Sequence, residues 1–126
     1  MNIIEDIVTE HAEEASFLWE QREAALSGPD FDLSDLAEWE ERLEAHLDGL
    51  NIAGEKGWTI SRDLAWDSGG EYFTAASLAL KQGNLKWFEE ILESLEENPD
   101  FGYALISALG WAEASQLKGI VKSLLD

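Results

Sequence analysis

The sequence predicts an all-α protein, a stack of about six or seven antiparallel helices arranged as an α-solenoid. Three observations lead there. Apolar residues recur at helical spacing, most plainly at Leu36, Trp39, Leu43, Leu47 and Leu50, with Glu38, Glu41, Glu44 and Asp48 between them. Breaks rich in Gly, Pro, Ser and Asn separate the periodic segments. Beyond residue 69 the chain repeats weakly at a spacing of 29 residues, with Tyr72 aligned to Phe101, Ala75 to Ala104, Ala79 to Ala108, Ile91 to Ile120 and Leu95 to Leu124. Each copy is a small-residue helix followed by a second, amphipathic one. Such units bury their apolar faces only by stacking on a neighbour.

The elements follow in order. Asn2 to Val8 is a short apolar and acidic segment, and Thr9 is placed to cap a helix from Glu10 to Leu26. Ala12, Ala15, Leu18, Trp19, Arg22 and Leu26 form its inward stripe, and Ser27-Gly28-Pro29-Asp30 stops it. Phe31 and Leu33 act as a staple before Ser34 caps the next helix, which runs into the glycines Gly49, Gly54 and Gly57. A further helix from about Glu55 to Trp66 buries Trp58, and Ser68-Gly69-Gly70 ends it. The 126 residues are expected to form one helical domain: acidic N-terminal helices over 1–67, then helix pairs over 70–98 and 99–126.

Charge is the strongest compositional feature. There are 27 acidic against 8 basic residues, a formal net charge of -19. Residues 1–50 hold 15 acids against Arg22 and Arg42 alone, so that part carries -13. Such a surface repels phosphates and anionic headgroups and attracts basic partners, which argues against direct nucleic-acid or membrane binding. No Cys is present, which fits a reducing compartment. The N-terminus lacks the pattern of a signal peptide and no apolar run is long enough to span a bilayer, so the expected location is cytoplasmic.

Candidate chemistry is sparse. His11 and Glu14 share a helical face and His46 can join them, yet a di-metal bundle would need Glu where Leu43 stands. The residues are better read as structural: Glu14, Arg22, Arg42 and His46 form a polar network docking the first two long helices, with His11 at its edge. There is no nucleophile elbow and no phosphate loop, and no cofactor or metal is implied. Of the six tryptophans, Trp19 and Trp39 fall on apolar stripes. Trp87 and Trp111 are the candidates for contact with a partner, together with Glu38, Glu41, Glu44 and Asp48.

The segments HAEEASFLWEQR (11–22), ERLEAHLDGLNIAGEKGW (41–58), GEYFTAASLAL (70–80) and GYALISALGW (102–111) together resemble a family of uncharacterised bacterial proteins. The resemblance implies helical repeats of the HEAT type and genes beside type VI secretion and toxin-delivery loci. It covers most of the chain, which is shorter than those relatives. Combined with the charge, it leads to the expectation of a non-enzymatic protein-binding module: a toxin-immunity or accessory protein of a secretion system that engages a basic partner. A structural adaptor linking secretion components is the alternative. A small metal-dependent enzyme built on His11, Glu14 and His46 is a third reading, from a different class.

Overall fold

The computed structural model describes residues 3–28, 33–65 and 67–112. Among these it is all helix: α1 (Ile3–Ser27), α2 (Leu33–Ala53), α3 (Glu55–Leu64), α4 (Gly69–Gln82), α5 (Leu85–Ser94), a 3-10 turn (Pro99–Phe101) and α6 (Gly102–Trp111). The helices pack on one another, and all five others touch α4. The expected second helix of the last pair, beyond residue 112, lies outside the described residues, as do Trp66, the Pro29-Asp30 part of the expected stop and Phe31 of the expected staple.

The period of apolar residues sets the inner faces of α1 and α2. Val8, Ala12, Ala15, Leu18 and Trp19 of α1 and Leu43, Leu47 and Leu50 of α2 are all buried in one core with Trp58 and most of α4. Leu26, expected inside, is 43% exposed. The two helices run antiparallel, with Glu5 beside Lys56, which follows α2, and Arg22 toward Glu40.

Several boundaries differ from expectation. Thr9 does not cap a helix, because α1 starts at Ile3 and runs through it. Burial of Val8 extends the apolar stripe one turn upstream, and that outweighs the modest helix propensity of Thr. Ser34 lies inside α2 rather than before it. Gly49 does not interrupt α2, and the break falls at Gly54, whose φ of 62° suits glycine. Ser68-Gly69-Gly70 begins an element instead of ending one: the Ser68 hydroxyl accepts from the Glu71 amide and Gly69 opens α4.

Helix α4 is buried on every side from Gly69 to Leu80, with Glu71 half-buried. A helix without a solvent face needs small residues where neighbours cross it and partners for its polar groups. Both are present. A Cβ on Gly70 would stand 2.5 Å from the Ser16 carbonyl oxygen of α1. The Thr74 hydroxyl donates to the Gly70 carbonyl at 2.9 Å and lies 3.0 Å from the Ser16 hydroxyl, while the Tyr72 hydroxyl donates to the Ile91 carbonyl at 2.6 Å. Gly83, at φ 62°, closes α4, and the Asn84 side chain caps α5.

The aligned alanines of the 29-residue repeat share an environment, since Ala75, Ala79, Ala104 and Ala108 are all fully buried. The aligned aromatics Tyr72 and Phe101 lie against each other, their ring centroids 5.2 Å apart. Replacing Gly70 with Ala is expected to force α1 and α4 apart and cost about 1–3 kcal/mol. Gly102→Ala, where a Cβ meets nothing within 4 Å, is expected to gain about 0.4–1 kcal/mol. Denaturant melts of the two variants, read against each other, check the packing.

Candidate functional site

A cleft of about 620 Å³ opens between α1, α2 and α6, lined by Arg22, Glu40, Glu41, Glu44, Ser107, Gly110 and Trp111. Its carboxylates come from consecutive turns of α2, on the side next to the buried Leu43 and Leu47 stripe. Helix α6 reaches the cleft because Trp19 of α1 donates its indole N–H to the Ser107 hydroxyl at 2.8 Å. Trp111 then lies with its edge against Phe73, centroids 6.0 Å apart at 89°. Its indole N–H donates to Glu44 at 2.6 Å, and the Arg22 guanidinium stands 5.5 Å from its ring centroid.

The charges in the cleft are unevenly committed. Glu44 accepts from both Trp111 and Lys81, and Lys81 also donates to Asp48 at 3.2 Å. Burial alone would lower the Lys81 pKa, but the bonds and charges of Glu44 and Asp48 prevail and hold it above its ordinary value. Arg22 bonds Glu23 at 2.8 Å, and its Nε reaches Glu40 only at 3.9 Å. Glu41 is exposed and has no ion pair among the described residues. Trp111 is thus engaged by Arg22 over its ring and by Glu44 at its N–H, and the carboxylate the cleft leaves uncommitted is that of the exposed Glu41.

The residues expected to meet a partner divide. Glu41, Glu44 and Trp111 line this cleft, and Asp48 adjoins it through Lys81. Glu38 is exposed on α2 outside the lining. Trp87 is not available as a free anchor: it is half-buried and stacks on Trp58, centroids 4.9 Å apart and planes 5° from parallel. Asn84 caps the α5 amide of Trp87 and fixes the start of that helix, turning the indole inward.

The expected network of Glu14, Arg22, Arg42 and His46 does not form as one unit. Arg42 is exposed, with no ion pair among the described residues. Arg22 sits two turns beyond Glu14 on α1 and belongs to the cleft. His46 instead meets His11, Nδ1 to Nδ1 at 2.9 Å. Burial lowers the His46 pKa first, then His11 and Arg42, against the opposing pull of Glu14 and Glu10. Among the described residues no group of three His, Cys, Asp or Glu side chains is placed to hold a metal ion.

Glu71, not singled out in the sequence, is a carboxylate whose surroundings shift it clearly from its ordinary pKa. Its Oε2 is buried with no partner among the described residues, and burial first, then Asp67, Glu20 and Glu13, raise its pKa. The only signal for it was its place three residues after a capping Ser, where a helix dipole would favour the charge. Burial prevails here.

Comparison with family models, with curated proteins and with solved structures finds no match.

Two substitutions check these assignments. Arg42→Ala is expected to cost about 1 kcal/mol or less, as an exposed cation should, where a buried partner of Glu14 would cost about 3 or more. Glu71→Gln is expected to stabilise the protein near pH 7 by about 1 kcal/mol. Because the folded-state pKa of Glu71 is raised, the wild type recovers stability as pH falls through that value, so the advantage of Gln should shrink on acidification. Melts at several pH values read both.

Proposed function

We propose that this chain is a protein-binding module that takes a basic partner on the face formed by α1, α2 and α6. The observation that carries the reading is the meeting of Glu41, Glu44 and Trp111 in one cleft, with Glu41 left without a counter-charge among the described residues. A lysine or arginine of the partner would find the uncommitted carboxylate of Glu41 at the cleft, while the exposed Glu38 and Asp48 extend the negative field around the rim. The charge of -13 in residues 1–50 supports long-range attraction over about 8 Å in physiological salt.

The family resemblance carries the finer reading of a toxin-immunity or accessory protein of a bacterial secretion system, acting in the cytoplasm. No helix among the described residues is long and apolar enough to cross a membrane, which is compatible with that location. The second reading, an adaptor joining secretion components, uses the same surface and differs only in what binding achieves. Co-expression with the product of the adjacent gene separates them. Protection from a toxic product supports immunity, a stable complex without protection supports the adaptor, and no complex with any neighbouring product counts against both.

For a partner so identified, Glu38→Gln combined with Glu41→Gln is expected to slow association several-fold at low salt and flatten its salt dependence. Dissociation should change less. Association kinetics at several ionic strengths provide the measurement, and salt-independent association of the wild type would overturn the electrostatic account.

A further inference from the structure

The two histidines of the chain come from different helices, yet their Nδ1 atoms lie 2.9 Å apart, with ring centroids separated by 5.2 Å at 54°. At that distance one nitrogen must donate and the other must accept. The pair therefore holds one proton between the two facing atoms. If both imidazoles are protonated, two N–H donors and two positive charges face each other and the bond is lost.

The site is shaped for this contact. A Cβ on Gly49 would stand 2.8 Å from the Cδ2 and Nε2 atoms of His11, so the ring lies directly against the α2 backbone and a larger residue at 49 would displace it. Both imidazoles are half-buried beside the fully or nearly fully buried Ala12, Leu47 and Leu50. We propose that His11 and His46 form a proton-operated clasp between α1 and α2, closed while they share one proton and opened when a second proton binds.

The surrounding charges decide where it acts. On α1, Glu10 and Glu14 favour protonation of His46; on α2, Arg42 opposes it, as do burial and His11. From α3, Lys56 is paired with Glu5 at 3.1 Å, while Arg62 pairs with Asp63 and with Glu90 of α5. From α4, Lys81 is neutralised by Glu44 and Asp48, and Glu71 lies among Glu13, Glu20 and Asp67. Desolvation leads, and the folded-state pKa of His46 lies below 6.5. Its contribution to stability is therefore complete above that unfolded value and is lost as pH falls through the folded one.

The effect is local. Beyond His11 toward the C-terminus, α1 is tied down by the Ser16 and Thr74 hydroxyls, by Trp19 on Ser107, and by Glu20, which accepts from the Gly70 amide at 3.2 Å. Toward the N-terminus it has the Lys56–Glu5 pair and the burial of Val8, while Ile4 and Ile7 are exposed. Opening the clasp thus loosens the first third of α1 and leaves its centre docked.

The test is amide hydrogen exchange of the wild-type chain between pH 7.5 and 5.5, as protection factors, with imidazole NMR titration. Protection of amides 5–12 should fall about tenfold for each unit by which the pair's second protonation lies below the ordinary histidine value. Protection around Leu18 and Trp19 should hold. The imidazoles should titrate in two coupled steps, the second below the ordinary range. His46→Gln, which can still hydrogen-bond but cannot titrate, should make protection of the 5–12 segment independent of pH. Constant protection in the wild type, two independent ordinary titrations, or a pH response that survives in His46→Gln would each overturn the proposal. If that variant does not fold, the wild-type titration and exchange decide it alone.

Discussion

Burial of α4 from Gly69 to Leu80, with Glu71 alone partly open, is the constraint on which the other helices depend. Over that span its neighbours supply close contacts and most of the hydrogen-bond partners, with Ser77 Oγ and Glu71 Oε2 left without one among the described residues. This explains why glycine, alanine, serine and threonine are concentrated there. Gly70 lets the α1 backbone approach, the Ser16 and Thr74 hydroxyls donate to the Ala12 and Gly70 carbonyls of their own helices while lying 3.0 Å apart, and Tyr72 reaches the carbonyl of Ile91 on α5. Once α4 is enclosed, α1 and α6 are brought near each other, and the Trp19 to Ser107 bond sets the height of α6. The cleft is a consequence of that placement, formed where α6 runs past the acidic turns of α2.

The helices were legible because burial on one face imposes a period of 3.6 residues. Leu43, Leu47 and Leu50 were read as inward and are fully buried. Boundaries were less legible where one residue type serves opposite purposes. Ser-Gly-Gly stops a helix or starts one, and which it does depends on whether the Ser68 hydroxyl finds the amide of Glu71. Gly49 reads as a breaker in sequence, but its missing side chain makes room for an imidazole on another helix. That is a tertiary reason for a glycine, and local pattern contains no trace of it.

The polar contacts show the same division. Which charged residues of α1 and α2 lie near the seam follows from helical spacing, but which of them meet depends on the sliding register of two antiparallel helices. The register observed puts Glu5 by Lys56, His11 by His46 and Gly49, and Arg22 toward Glu40. Arg42 then falls on the outward side of α2 and Glu14 acts on His46 only through its field. Trp111 and Trp87 were indistinguishable in sequence, each near a helix end beside apolar neighbours. Trp58 covers Trp87, whereas the N–H of Trp111 is directed at a carboxylate of the acidic helix.

The placement of the cations bears on what the surface can do. Arg22, Lys56, Arg62 and Lys81 each pair with acids of another helix, so four of the 8 basic side chains are drawn into seams between elements. In those seams they relieve repulsion where carboxylates would otherwise crowd against packed helices, at Glu44 and Asp48 above all. Positive charge used in this way is lost to the exterior. The outward faces of α1 and α2 keep exposed acids such as Glu13, Glu38 and Glu41, and their field is nearly one-signed. Exposed acids beside the cleft of α1, α2 and α6 are what the proposed recognition of a cationic partner would rest on.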